Sequence, residues 1–163
     1  MITAGAILGG AAVKANKNAV QTKSYGPEAR GGAARAEVVI SDEEINFVKV
    51  IKANVLVALT QEAADKFSSE VVDDGIVIVD DLLVKNKPSG NFKLYSYPIV
   101  KAAADSVGKA MVANIVTLGV VNEIANLVDY DSLEKAVLGK VPKGTEELNK
   151  KALQVGRELV QNS

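Results

Sequence analysis

Two short apolar runs constrain this chain more than anything else in it: Asn54-Val55-Leu56-Val57-Ala58-Leu59 and Gly75-Ile76-Val77-Ile78-Val79. Neither alternates apolar with polar residues, so neither suits a strand with one wet face. Unbroken runs of this length fit strands buried on both sides, as in parallel sheets covered by helices. Between them lies a segment with helical signals over residues 61–71. Thr60 is placed to cap it and Glu62 sits favourably in its first turn. Asp73-Asp74-Gly75 then reads as a turn into the second strand. The unit is strand–helix–strand, and its crossover should be right-handed.

The remaining segments extend this pattern. Residues 19–25 and 33–41 read as two strands; in the second, Ala34, Ala36, Val38 and Ile40 alternate with Arg35, Glu37, Val39 and Ser41, leaving one face polar over part of its length. Residues 92–97 read as a last strand, with Pro98 suited to open a helix over 99–107 and Gly108 to stop it. Asn114 is placed to cap a helix over 115–127. Asp131 and Glu134 have capping-box spacing. Thr145 caps a final helix whose inward stripe is Leu148, Ala152, Val155 and Leu159. The expectation is one domain over residues 1–163, α/β in class. It should be three-layered and Rossmann-like, with a mostly parallel sheet and helices on both faces.

Composition excludes several functions. The chain has 163 residues and no Cys or His, so it offers no thiolate ligands, no disulfides and no imidazole base. A net charge of -1 lacks the basic surplus of a duplex nucleic-acid binder. Met1 to Val13 is apolar, but no positive charge precedes it, so a small-residue helix packed on a sheet fits better than a secretory signal. That run and residues 110–121 are too short to span a bilayer. No nucleic acid and no membrane are therefore expected as partners, and the absence of Cys is compatible with a cytoplasmic location.

Ser24 to Arg35 joins the first two strands and holds Gly26, Gly31, Gly32, Pro27, Glu28, Arg30 and Arg35. By composition it fits a plain solvated loop. The functional alternative is an anion-binding or partner-docking surface made of backbone amides and two guanidinium groups. Asp80-Asp81 ends a predicted parallel strand, the edge where α/β ligands bind, yet fits a solvated loop start better than a Mg²⁺ site. Tyr95 and Tyr97 share one strand face, as core packing would have them.

Residues 21–32 (Gln-Thr-Lys-Ser-Tyr-Gly-Pro-Glu-Ala-Arg-Gly-Gly), with Arg35-Ala36-Glu37-Val38 and Ile40-Ser41, resemble the signature of the gamma subunits of 2-oxoacid:ferredoxin oxidoreductases. The similarity continues through residues 55–64 and 75–80, Ala113-Asn114, Leu118-Gly119, Asn149, Ala152 and Gly156. The wording around Tyr25 to Glu37 is most similar to the 2-oxoglutarate and related branched 2-oxoacid members. The resemblance implies a Rossmann-like domain in a complex that oxidatively decarboxylates a 2-oxoacid, forms acyl-CoA and passes two electrons to ferredoxin. It implies alpha, beta and delta subunits as partners, with thiamine diphosphate, Mg and [4Fe–4S] clusters held by them and coenzyme A as a substrate of the complex. This chain would bind no cofactor and be inactive alone; a chain without Cys agrees with that division. Tyr25, Gly26, Pro27, Glu28, Arg30, Gly31, Gly32, Arg35 and Asn114 become interface or CoA-proximal candidates. Arg30 and Arg35 are suited to a partner carboxylate or a CoA phosphate. The competing expectation is a stand-alone α/β module that binds a nucleotide or phosphate.

One feature departs from that family. Its members open with a hydrophobic strand and a Gly-x-Gly-Gly-Gln-Gly loop, whereas this sequence starts at Met1-Ile2-Thr3, already inside the helix that follows. The loop would place backbone N–H groups at a helix N-terminus, and the strand would fill a sheet slot whose edge otherwise lies open. The expectation is a marginally stable isolated chain.

Overall fold

The computed structural model describes residues 1–24 and 35–163. Three parallel strands, β3 (Ala53–Ala58), β4 (Val71–Asp80) and β5 (Phe92–Tyr97), form a sheet in the order β3-β4-β5. The two unbroken apolar runs are its edge and central strands. Val77, Ile78 and Val79 are all fully buried, which requires cover on both faces. Successive side chains of β4 point opposite ways. Ile78 joins the large core built from the helices at the two ends of the chain. Val77 and Val79 pack with Ala58, Ala64 and Val84 on the other face. The three-layer α/β expectation is borne out, with one thick helical layer and one thin one.

The thick layer contains α1 (Ile2–Lys14), α3 (Ile99–Ala102), α4 (Ala113–Ala125), α5 (Tyr130–Lys140) and α6 (Glu146–Gln161). The thin layer is α2 (Gln61–Phe67), started by Thr60, whose Oγ1 accepts from Ala63 N at 3.2 Å. This helix is shorter than residues 61–71, because Ser68–Glu70 tightens into a 3-10 turn and Val71 already belongs to the sheet. Asp73-Asp74-Gly75 is not a turn ahead of β4 but an irregularity inside it. Ala53 pairs with Val71 and Val55 with Ile76, so the extra residues bulge out of the ladder. Asp74 has φ 60°, and a Cβ on Gly75 would sit 2.6 Å from Val71 Cγ1 and 2.9 Å from the Val72 carbonyl oxygen. Only glycine fits there.

α4 and α6 cross at two glycines. A Cβ on Gly156 would come 2.0 Å from the Val116 carbonyl oxygen, and one on Gly119 would come 2.3 Å from that of Leu153. The backbones therefore touch, and the deepest line of α6 is Asn149, Ala152, Leu153 and Gly156. Of the expected stripe only Ala152 lies there; Leu148, Val155 and Leu159 flank it, half-buried. Helix ends follow local chemistry with small offsets. α3 widens into a π-helical turn over Ala103–Val107, and Gly108 at φ 82° stops it as expected. Asp129, not Asp131, caps α5, accepting from Ser132 N at 2.9 Å. Thr145 takes the N-cap place of α6, but its hydroxyl donates to the Pro142 carbonyl instead.

β1 (Asn18–Ser24) and β2 (Arg35–Ser41) stand apart as an antiparallel pair, with Asn18 opposite Ser41 and Ser24 opposite Arg35. Its alternation does not give a clean buried face: all seven positions of β2 are half-buried. α1 packs on this pair and on α5, burying Ala4, Ile7, Ala11 and Ala12. Among the described residues no helix is long and apolar enough to cross a membrane.

Candidate functional site

Of the predicted site residues, Arg35 and Asn114 lie among those described; Tyr25, Gly26, Pro27, Glu28, Arg30, Gly31 and Gly32 lie outside them. Arg35 opens β2 and is engaged on three sides. Its guanidinium pairs with Glu37 and, through Nη1 at 3.0 Å, with Glu70, and its centre lies 5.2 Å from the Phe67 ring centroid. Arg35 and Glu37 meet because residues two apart on a strand share a face. Glu37 is the hub. Its Oε2 accepts from Thr22 Oγ1 at 3.2 Å on β1 and from Val50 N at 3.1 Å in the connection to β3. One acid thus holds both strands of the hairpin and the loop leaving it, while Arg35 fastens that group to the turn behind α2. The Arg35 side chain keeps 33% of its surface exposed.

Asn114 lies in the first turn of α4 rather than at its cap. Its Oδ1 accepts from Ile115 N at 3.0 Å, and Val112 holds the N-cap place, because the 3-10 turn Ala110–Val112 runs straight into the helix. No hydrogen bond or ion pair joins Asn114 to Arg35 among the described residues; they belong to different elements.

The carboxyl edge of the parallel sheet, where α/β ligands commonly bind, is occupied by the chain itself. Asp80 is fully buried, against the solvated loop start that its position suggested. Its Oδ1 accepts from Leu82 N and Leu83 N, both at 3.0 Å, and its Oδ2 from Val100 N at 2.9 Å. One carboxylate therefore starts the turn after β4 and supplies the first turn of α3 with the acceptor that Pro98 cannot offer. Beside it, Gln61 exchanges two hydrogen bonds of 2.9 Å with the Asn86 backbone, and Lys87 Nζ donates to the Val84 carbonyl at 2.7 Å. Residues 81–87 fold against this end of the sheet. Among the described residues no cluster of three or more His, Cys, Asp or Glu could hold a metal ion.

Sequence reasoning missed the depth of Asp80 and the role of Glu37. A signal existed for each: a carboxylate directly after a doubly buried strand, and an acid two residues from an arginine. Glu70 and Phe67 carried none, because they meet Arg35 only through the fold.

The chain as a whole is similar to known proteins. The family described as pyruvate ferredoxin/flavodoxin oxidoreductase matches residues 1–159. The 2-oxoglutarate synthase subunit KorC of Methanocaldococcus jannaschii is 49% identical over 162 residues, covering 98% of this chain and 87% of that one. The ketoisovalerate oxidoreductase subunit VorA of Methanothermobacter thermautotrophicus is 32% identical over 138 residues, covering 84% of this chain but only 28% of VorA. The crystal structure of the keto/oxoacid ferredoxin oxidoreductase gamma subunit from Geobacter sulfurreducens superposes with a TM-score of 0.90 at 43% identity, covering 99% of this chain and 92% of that one. Matched from its first helix to its last, with the glycine crossing of α4 on α6 and the Arg35–Glu37 pair inside the matched span, the chain belongs to the pyruvate ferredoxin/flavodoxin oxidoreductase family.

Proposed function

We propose that this chain is the gamma subunit of a multi-subunit 2-oxoacid:ferredoxin oxidoreductase that works in the cytoplasm and whose substrate is 2-oxoglutarate. The 49% identity with a 2-oxoglutarate synthase subunit, over 98% of this chain, carries this reading. The complex would cleave the bond between the carboxylate and the oxo carbon, release CO2, join the acyl group to CoA and pass two electrons to ferredoxin. With no Cys or His in its sequence, this chain leaves cluster ligation to alpha, beta and delta partners, together with thiamine diphosphate and Mg. Its own contribution is structural: it presents a hairpin fastened by Arg35 to the turn behind α2 and by Glu37 to the loop that leads to β3.

The segment between β1 and β2, with Tyr25, Gly26, Pro27, Glu28, Arg30, Gly31 and Gly32, and the neighbouring Arg35 would serve the partner interface or the approach of CoA, with Asn114 as a second contact. Arginine suits either role, because its fork pairs with carboxylate or phosphate. The test is reduction of a viologen dye by the co-expressed complex with CoA and either 2-oxoglutarate, pyruvate or 2-oxoisovalerate. Activity with 2-oxoglutarate well above the other two is expected. In the same assay Arg30→Ala should raise KM for CoA or weaken assembly. A chain that purifies as a lone monomer, binds a nucleotide and supports no dye reduction would replace this reading with a phosphate-binding module.

A further inference from the structure

The connection from β2 to β3, residues 42–52, places three large apolar side chains in water. Phe47 is 59% exposed, Val48 46% and Ile51 73%, all within five residues. Scattered exposed apolar residues are ordinary, but a contiguous group on one loop marks an interaction surface.

The charges on this loop are divided by sign along the chain. Asp42, Glu43 and Glu44 precede Phe47, Lys49 and Lys52 follow it, and all five are exposed. Asp42 is engaged by Lys17 at 3.0 Å. Glu43, Glu44, Lys49 and Lys52 have no ion-pair partner among the described residues. Two free carboxylates before the apolar group are thus balanced by two free ammonium groups after it. A uniformly acidic partner would be repelled by the first half, and a uniformly basic one by the second. A second copy of the same loop, related by a two-fold rotation, presents its charges in the matching reverse order.

The loop is also held in place. Asn18 Nδ2 donates to the Glu43 carbonyl at 2.8 Å, Glu43 N donates to Ser41 Oγ at 3.0 Å, and Val50 N donates to the Glu37 hub. Much of the ordering cost of association is thereby met beforehand.

We propose that residues 43–52 are a self-complementary surface through which two copies of this chain associate about a two-fold axis passing beside Phe47. Phe47 meets its counterpart near the axis, with Val48 and Ile51 closing around the pair. Glu44 faces Lys49 of the second copy and Glu43 faces its Lys52, and the two-fold makes each of these contacts twice.

The test is the oligomeric state of the purified chain, read by analytical ultracentrifugation over a range of concentrations at two salt levels. The wild type should form a dimer that weakens as salt rises. Phe47→Ser/Ile51→Ser should associate roughly tenfold more weakly or worse, as loss of central anchors does, with an unchanged circular dichroism spectrum because both side chains are exposed in the single copy. Glu43→Lys/Glu44→Lys and Lys49→Glu/Lys52→Glu should each be monomeric alone, since like charges then meet across the axis. Mixed in equal amounts the two should pair, because every acidic half again faces a basic one. Met111→Ser, which removes an apolar side chain that is 81% exposed on a different turn, should dimerise as wild type. A wild-type chain that stays monomeric throughout, wild-type association of the Phe47/Ile51 variant, or no pairing in the charge-swapped mixture would each overturn the proposal. A monomeric wild type whose Phe47/Ile51 variant fails to join the other subunits would show that a different chain covers this loop, leaving the functional reading intact. A dimer behaving as described in a preparation that supports no dye reduction would instead refute the functional reading and leave this proposal standing.

Discussion

The parallel sheet with its helices and the β1–β2 hairpin are held together by different physics. Val77, Ile78 and Val79 of β4 are sealed from water, and α4 lies on α6 with backbone touching backbone at Gly119 and Gly156. The hairpin has two strands and a half-buried β2, and a pair of strands alone is marginal in water. It is secured by α1 beneath it and by the Arg35, Glu37 and Glu70 charges at the end where β2 begins. Apolar burial is spread over many contacts and has no charge to screen, whereas a partly exposed charge cluster is local and screened by salt. The hairpin is thus the element whose attachment can be adjusted without loss of the core.

The largest effect should come from the glycine crossing. Gly156→Ala forces a methyl group into the Val116 carbonyl, which neither backbone can avoid without the helices parting. A loss of about 3 kcal/mol or more is expected in urea unfolding, as for severe overpacking, and wild-type stability would show that the crossing is looser than described. Asp80→Ala comes next. It strips the acceptor from Leu82 N, Leu83 N and Val100 N at once, so about 2 kcal/mol should be lost. Asp80→Asn should recover part of that loss.

Arg35→Ala should cost only about 1 kcal/mol globally, given its partial exposure. Hydrogen exchange should nonetheless speed up through β1 and β2 and not through β4. Uniform acceleration would show that hairpin and sheet open together, and would remove the contrast drawn above.

The smallest effect concerns pH. The hydrogen bonds from Ser132 hold the Asp129 carboxyl below its ordinary value of 3.8. A lowered pKa stabilises the fold above the ordinary value, and the contribution is lost as pH falls through the depressed one. Asp129→Asn should therefore melt at a slightly lower temperature at neutral pH and show a smaller decline in acid. An identical acid slope would mean the cap carries no linkage.

Much of this architecture was legible in local chemistry. β3 and β4 announced themselves because a strand inside a covered parallel sheet calls for an unbroken apolar run, and Thr60 and Gly108 marked helix ends because capping is decided within a few residues. The boundary errors share a cause. Ser68–Glu70 and Asp73-Asp74-Gly75 look like helix and turn in isolation, yet the need to keep Val71 and Ile76 on β3 makes them a tightened turn and a bulge. At the candidate site, Arg35 and Glu37 could be paired by strand periodicity, whereas Glu70, 35 residues away, could not.

Residue types alone settled that this chain supplies no thiolate or imidazole, and its alternation of strand and helix signals settled the α/β class. Both follow from side-chain chemistry and from periodicities of two and 3.6 residues, which need no knowledge of distant partners. Only the tertiary structure decided that Asp80 is buried as a bridge between β4 and α3, that Gly119 meets Gly156, and that Arg35 is clasped while Phe47 and Ile51 stand in water. These are contacts between segments far apart in the chain, or their absence, and local sequence does not encode which surfaces the packing will cover.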